Sequence, residues 1–205
     1  MNDIHQIEPI QNNYEKYLTY KIQLGRYKKA INNGFYFEAL LIDYAMLEDR
    51  LLAFLYHIGA IDNRYISIKI TGRTKKYLRE IYGEGPINLS NISGKIKLIR
   101  AVLKWAEVDE EIAHSQKYQY TLKKQCREQL DIPEFFAKLD EIDNWKDYRN
   151  EVIHALMNKN STSLYAQIKQ KASEGMDLAR YIDKQTAKIK KGNYIRRSAK
   201  LKVER

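Results

Sequence analysis

The segment WKDYRNEVIHALMN, residues 145–158, carries three side chains that could do chemistry together: Arg149, Asn150 and His154. An imidazole takes up and releases protons near neutral pH, so His154 can serve as a general base or a general acid. A guanidinium keeps its charge and offers paired donors to phosphoryl oxygens, so Arg149 can stabilise developing negative charge. The three residue types suit a reaction in which a proton moves while charge builds up on an oxyanion.

The spacing of these residues indicates a helix with two chemically different faces. Asn150 and His154 are four residues apart and therefore lie on one face, whereas Arg149 lies about 140° from His154. The long arginine side chain could still reach round toward the imidazole, while Trp145 and Val152 anchor the helix to a core. The same pattern also fits a surface arginine and a histidine that only packs.

The elements that must position this helix are predicted from apolar periodicity, which is helical over most of the chain and favours an all-α bundle. Helices are predicted over residues 12–33, from Phe37 to Ile58, from Ile92 to Ala106, from Asp109 to Leu130, from Asp131 through the quoted segment, and from Thr162 past Ile182. Asn33-Gly34 and Gly59 end the first two helices. We expect Asp43 and Glu48, on the second helix, to be ordinary surface or ion-pair residues.

Segment 60–92 is the least regular part and is predicted to be an insertion between core helices. ISIKI alternates like a short strand, TKKYLREIY suits two helical turns, and GEGPINLSN is typical of a loop. The predicted organisation is a helical extension over residues 1–34, a helical domain over 35–185 and a basic tail over 186–205.

The net charge of +10 is concentrated near the C-terminus, because residues 184–205 contain nine Lys or Arg and one Glu. Such clusters are typical of a surface that follows a phosphate backbone, although a solvated, partly disordered tail is an equally good interpretation. The candidate RNA-binding residues are Arg64, Lys69, Arg73, Lys75, Lys76 and Arg79 in the insertion, and Lys190, Lys191, Arg196 and Arg197 in the tail.

Several classes of protein are disfavoured by the sequence. The single cysteine, Cys126, excludes an internal disulfide and a zinc site built from several cysteines, and it fits a reducing cytoplasm. No metal site and no cofactor are expected. The most apolar stretch, residues 37–59, is interrupted by charged residues, and no secretory signal is evident, so no membrane association is expected.

The motif Arg149-Asn150-Glu-Val-Ile-His154 resembles the Arg-x4–6-His motif of the HEPN superfamily, small α-helical domains that include many metal-independent endoribonucleases. The Asn directly after the Arg and the position late in an all-α chain match that pattern. FEALLIDYAMLEDRL is similar to a long core helix of such domains. The resemblance covers roughly residues 35–185 as a helical arrangement, with the specific motif confined to six residues.

The resemblance implies an endoribonuclease in which a 2′-hydroxyl attacks the adjacent phosphate, giving a 2′,3′-cyclic phosphate and a 5′-hydroxyl. It implies that His154 handles protons, that Arg149 stabilises the phosphorane, and that Asn150 orients the imidazole or binds a phosphate oxygen. It further implies a homodimer with a composite active site, and a role in prokaryotic defence or stress response. A tyrosine modified in some HEPN toxins is replaced here by Leu156, which disfavours control by that route, and the sequence does not identify a neutralising partner.

Two alternatives remain open at this point. One is a non-catalytic HEPN-like helical module that binds RNA, a nucleotide or a protein partner. The other is a helical scaffold with no role in RNA metabolism.

Overall fold

The protein is described by a computed structural model that covers residues 13–62, 65–66, 77, 79–80, 87–108, 112, 116–155, 158 and 161–201. The fold is all-α, as predicted. Its helices are α1 (Asn13–Asn32), α2 (Tyr36–His57), α3 (Ile92–Glu107), α4 (Lys117–Gln129), α5 (Ile132–Ala155), α6 (Ser161–Lys190) and, after a 3-10 turn at Lys191–Asn193, the short α7 (Tyr194–Ser198).

Helices α1 and α2 form a hairpin, so the described part of the predicted N-terminal extension packs against the rest of the bundle. The reversal occurs at Gly34, whose φ of 76° favours glycine, and Gly59 ends α2 in the same way with φ of 69°. Tyr27 and Ala30 of α1 are buried in a small cluster with Ala39, Ala172 and Met176. Both glycine stops are confirmed.

Helix α2 lies at the centre of the bundle and packs along α6, α3 and α1. Its buried stripe contains Leu40, Leu47, Leu51 and Phe54, which recur at the spacing of one helix face. The main core is completed from α3, α4 and α5 by Ile96, Ile99, Val102, Leu103, Leu122, Cys126, Phe135, Leu139, Ile142 and Trp145. Burying this apolar surface provides most of the favourable free energy of folding.

Polar contacts fix α3 between α2 and α5. Asn91 caps α3, accepting a hydrogen bond from the Gly94 amide at 2.8 Å. The buried Lys95 ammonium pairs with Glu48 of α2 at 2.7 Å, and Lys146 of α5 donates to Ser93 Oγ at 2.7 Å. The ion-pair expectation for Glu48 is therefore confirmed. Because α3 begins beside Lys146, the last turns of α5 extend beyond it.

The C-terminal region is a correction to the predicted tail, since α6 passes through residue 185 without a break and the chain stays packed after it. Gly192, with φ of 71°, turns the chain into α7, where Ile195 and Ala199 are buried. Arg196 is also buried. A partly disordered tail is therefore wrong up to residue 201, because apolar residues at helical spacing hold it on the core.

Within the predicted insertion, the described residues include a minimal antiparallel pair, β1 (Ile61–Asp62) and β2 (Tyr65–Ile66). Ile61 is opposite Ile66, and Asp62 is opposite Tyr65. Residues 77, 79 and 80 are helical, as the sequence predicts for TKKYLREIY. The predicted helix from Asp109 to Leu130 begins later, at Lys117, and Ile112 is not helical.

Candidate functional site

The candidate site lies on the last two turns of α5, which is one continuous helix from Ile132 to Ala155. Asp131 caps its start by accepting a hydrogen bond from the Glu134 amide at 3.0 Å. Trp145 and Val152, each 2 % exposed, hold the C-terminal half of α5 against the bundle. This anchoring fixes the direction in which the intervening polar residues point.

Arg149 is half-buried, and its guanidinium stacks on an aromatic ring. The guanidinium carbon lies 4.2 Å from the centroid of the Tyr44 ring of α2. Its Nη1 donates to the side-chain oxygen of Asn150 at 3.1 Å, while its buried Nε has no hydrogen-bond partner among the described residues. A stacked guanidinium loses little freedom when it binds an anion, so Arg149 is held ready to do so with donors to spare.

Asn150 and His154 are both exposed, as expected for residues four apart on one face. The observed hydrogen bond of Asn150 is to Arg149, so Asn150 positions the guanidinium in this structure and not the imidazole. Within the described part of the chain, no hydrogen bond or ring contact joins Arg149 to His154. The two chemical groups are therefore presented separately by one chain.

Helix α6 supports the opposite side of these α5 turns. The Trp145 indole donates to the Lys171 carbonyl at 2.7 Å, and the Tyr148 hydroxyl donates to Gln167 at 3.2 Å. The Lys171 ammonium lies 5.4 Å from the centroid of the Tyr148 ring. These contacts fix α5 against α6 immediately before Arg149.

Asp43 is a buried acidic residue beside this region, and our expectation of an ordinary surface or ion-pair residue was wrong for it. The residue is 0 % exposed, and neither carboxyl oxygen has a hydrogen-bond partner among the described residues. A Cβ added at Gly175 would lie 3.0 Å from the Asp43 Cβ and 2.4 Å from the Trp145 ring, so the packing here is tight. Burial, partly opposed by Arg180, raises the Asp43 pKa to about 8. Its position on the stripe of Leu40 and Leu47 is the sequence signal that could have revealed it.

The predicted RNA-binding residues fall into three groups. Arg64, Lys69, Arg73, Lys75 and Lys76 lie outside the described residues. Arg79, Lys190, Lys191 and Arg197 are exposed. Arg196 is 1 % exposed, stacks on the Tyr56 ring at 3.5 Å and donates to the Tyr56 carbonyl at 2.7 Å. Its assignment to RNA binding is wrong, because the side chain is buried and donates to the backbone carbonyls of Tyr56 and Ile61.

Across the described ranges, no three His, Cys, Asp or Glu side chains come together in a way that could hold a metal ion. No described helix combines the length and the apolar character needed to cross a membrane.

The site is thus a guanidinium stacked on Tyr44 and bonded to Asn150, followed one turn later by the exposed imidazole of His154. Comparison of the chain with known protein families, with curated proteins and with solved structures found no match. The assignment of a function therefore depends on the residues themselves.

Proposed function

We propose that the protein is a metal-independent endoribonuclease of the HEPN type, with Arg149 and His154 as catalytic residues and Asn150 as a positioning residue. The observation that supports the proposal is the guanidinium of Arg149, held by Tyr44 and Asn150, with an exposed imidazole about one turn later on the same helix end. That pair supplies the two things a phosphodiester cleavage needs, a fixed positive charge and a proton carrier.

The proposed reaction is an internal transesterification. An imidazole removes the proton from the 2′-hydroxyl, whose oxygen attacks the adjacent phosphorus. The bond from phosphorus to the 5′-oxygen breaks, and a protonated imidazole gives that oxygen its proton. Atoms and charges balance without a further reactant, and the products carry a 2′,3′-cyclic phosphate and a 5′-hydroxyl.

Arg149 has the stabilising role in this scheme. Negative charge increases on the non-bridging phosphoryl oxygens as the phosphorane forms, and a guanidinium can donate to two of them at once. The Tyr44 ring and Asn150 hold the guanidinium in place before RNA binds, so little ordering is required in the transition state. Removing such a preorganised donor typically lowers the rate about 100- to 1000-fold.

The proposal includes a homodimer, because one chain supplies one imidazole for two proton transfers and does not bring it against Arg149. In a two-fold arrangement, the same helix end of each copy faces the other across a groove. One His154 then acts as the base and the other as the acid. A cytosolic setting in prokaryotic defence or stress response is what the HEPN resemblance implies.

His154→Ala is the substitution that tests the proposed function. We expect it to abolish cleavage of a generic RNA in EDTA while the helical circular-dichroism spectrum and RNA affinity stay near wild type. Glu151→Ala, on an exposed position of the same helix, is the matched control and should retain cleavage. Equal, near-zero cleavage by wild type and His154→Ala would favour the non-catalytic binding module instead.

Analytical ultracentrifugation tests the composite site separately. The active species should sediment at about twice the chain mass of 24.3 kDa. Full activity from a monomer at micromolar concentration would contradict the shared groove, while leaving the roles of the individual side chains open to the substitution test.

A further inference from the structure

The far end of α6 carries a second, strongly basic surface that lies away from Arg149. Lys184, Lys188 and Lys191 are exposed and recur at spacings of four and three residues, so they share one stripe. The exposed Arg197 follows on α7. We call Lys184, Lys188, Lys191, Tyr194 and Arg197 the C-terminal basic face.

Among the described residues, acidic side chains form no ion pair with this face. The sequence has no Asp or Glu from residue 184 to residue 203. The nearest preceding acid, Asp183, pairs with Arg50 at 2.9 Å. Within the part of the chain that the structure describes, no ion pair involves the basic residues of the face, so their charge is available to a polyanion.

Tyr194 places an aromatic ring within this positive surface. The residue is 56 % exposed, although its ring lies against the backbone at Gly192. A Cβ added at Gly192 would come within 2.5 Å of that ring, and the φ of 71° already favours glycine there. The turn therefore fixes one side of the ring and leaves the other side open for stacking.

We infer that the C-terminal basic face binds single-stranded RNA, with its lysines and Arg197 on the phosphates and a base stacked on Tyr194. Lysines along a stripe with an ordered aromatic ring are the combination that binds single strands without sequence preference. Lys190 lies on a different side of α6, and Arg196 is buried, so neither belongs to the face.

The inference deepens the proposed function, on which it rests for the choice of RNA, by defining the substrate. Lys171, which contacts the α5 site, and Lys188 are separated by about 26 Å along α6. A stacked strand advances about 3.4 Å per phosphate, so about eight nucleotides are needed to cover that distance. The preferred substrate is RNA with a single-stranded flank of at least this length beside the cleaved bond.

Binding of a labelled 20-nucleotide uridine oligomer tests the face independently of cleavage, because it is measured in chains that carry His154→Ala. Combined Lys184→Gln, Lys188→Gln and Lys191→Gln should weaken binding at least tenfold. The slope of log affinity against log salt should become about two units shallower, as expected when three phosphate contacts to a single strand are lost. The exposed triple Lys21→Gln, Lys28→Gln and Lys29→Gln of α1 is the matched control and should change affinity less than twofold.

Equal weakening by the two triple variants, or no binding by the His154→Ala chain in 50 mM salt, would overturn the inference.

Tyr194→Ala should weaken binding about tenfold, whereas Tyr194→Phe and the control Tyr14→Ala should not. In catalytically active chains, the first triple should slow cleavage of the 20-nucleotide RNA but not of a six-nucleotide RNA. Equal slowing of both lengths would rule out a strand that spans from the C-terminal basic face to the α5 site. Absence of all cleavage, with RNA binding retained, would count against the proposed function alone.

Discussion

Two arginines each stack on a tyrosine of α2, at positions twelve residues apart, yet their surroundings differ. Arg196 lies 3.5 Å from the Tyr56 ring centroid, is 1 % exposed and donates to the carbonyls of Tyr56 at 2.7 Å and Ile61 at 3.4 Å. Arg149 lies 4.2 Å from the Tyr44 ring centroid and is only half-buried. Its single observed hydrogen bond, to Asn150, leaves donors unused among the described residues.

Arg196 therefore stabilises the fold, whereas Arg149 is positioned by the fold. Arg196 donates to the carbonyls of Tyr56, at the end of α2, and Ile61, in β1, so removing it takes a charged donor away from both. Among the described residues, Arg149 donates to no backbone group, and its guanidinium is held by the Tyr44 ring and Asn150. Hydrogen-bond donors that are held in place but make no bond within the protein are the ones available to a ligand.

Substituting each arginine by alanine should give the largest contrast. Arg196→Ala should lower the free energy of unfolding by about 3 kcal/mol, because the Tyr56 and Ile61 carbonyls lose a charged donor, the Tyr56 ring loses its partner and a large buried side chain is removed. Arg149→Ala should lower it by about 1 kcal/mol, the order of an accessible cation–π contact. Urea unfolding of both variants measures the difference, and similar losses would refute the division of roles.

Asp43, next in sequence to the Tyr44 that contacts Arg149, should make stability fall as pH rises. Its folded-state pKa of about 8 exceeds the ordinary 3.8, mainly because of burial, so the folded chain keeps a proton that the unfolded chain releases between these values. Its contribution is fully present below about pH 4 and is lost as pH rises through 8. Asp43→Asn should therefore gain stability relative to wild type between pH 5 and pH 8, on the order of 3 kcal/mol. If the difference in unfolding free energy between the variant and wild type did not change with pH, Asp43 would not titrate in the fold.

His57, near Arg196, should make stability fall as pH decreases, which is the opposite direction to Asp43, and by a smaller amount. Burial, assisted by Lys190, Arg196 and Lys16, lowers its pKa from 6.5 to about 4, so its imidazole is neutral in the fold. Its contribution is present above about pH 6.5 and is lost as pH falls through 4. His57→Leu should flatten the stability profile in this window by on the order of 2 kcal/mol, after allowance for partial exposure. Thermal melts of wild type and His57→Leu at pH 4.5 and 7 measure this difference. The same pH dependence in both proteins would contradict a lowered His57 pKa.

Local patterns in the sequence were sufficient for most of the helical architecture. Apolar spacing predicted the central helices, and Gly34 and Gly59 predicted their ends, because propensity and positive φ depend on a few neighbouring residues. The start at Asp131 followed from an N-cap that is local in the same sense. The candidate residues on α5 were also found from spacing, although their catalytic role stays a prediction.

Charge and composition were less informative where partners come from distant segments. The run of basic residues after Lys184 gave no sign that Arg196 would turn inward, because its acceptors, the Tyr56 and Ile61 carbonyls, lie more than a hundred residues earlier. Asp43 shares the apolar stripe of Leu40 and Leu47 in the sequence, but its close packing against Gly175 depends on α6, more than a hundred residues later.

The sequence by itself determined where helices form and which residue types could move protons and bind phosphate, because both follow from short-range spacing and side-chain chemistry. Tertiary structure alone decided which charges are consumed by the fold and which remain at its surface. Burial and hydrogen-bond saturation are set by atoms brought together from remote parts of the chain. That is why Arg149 and Arg196, alike as residues, have different roles here.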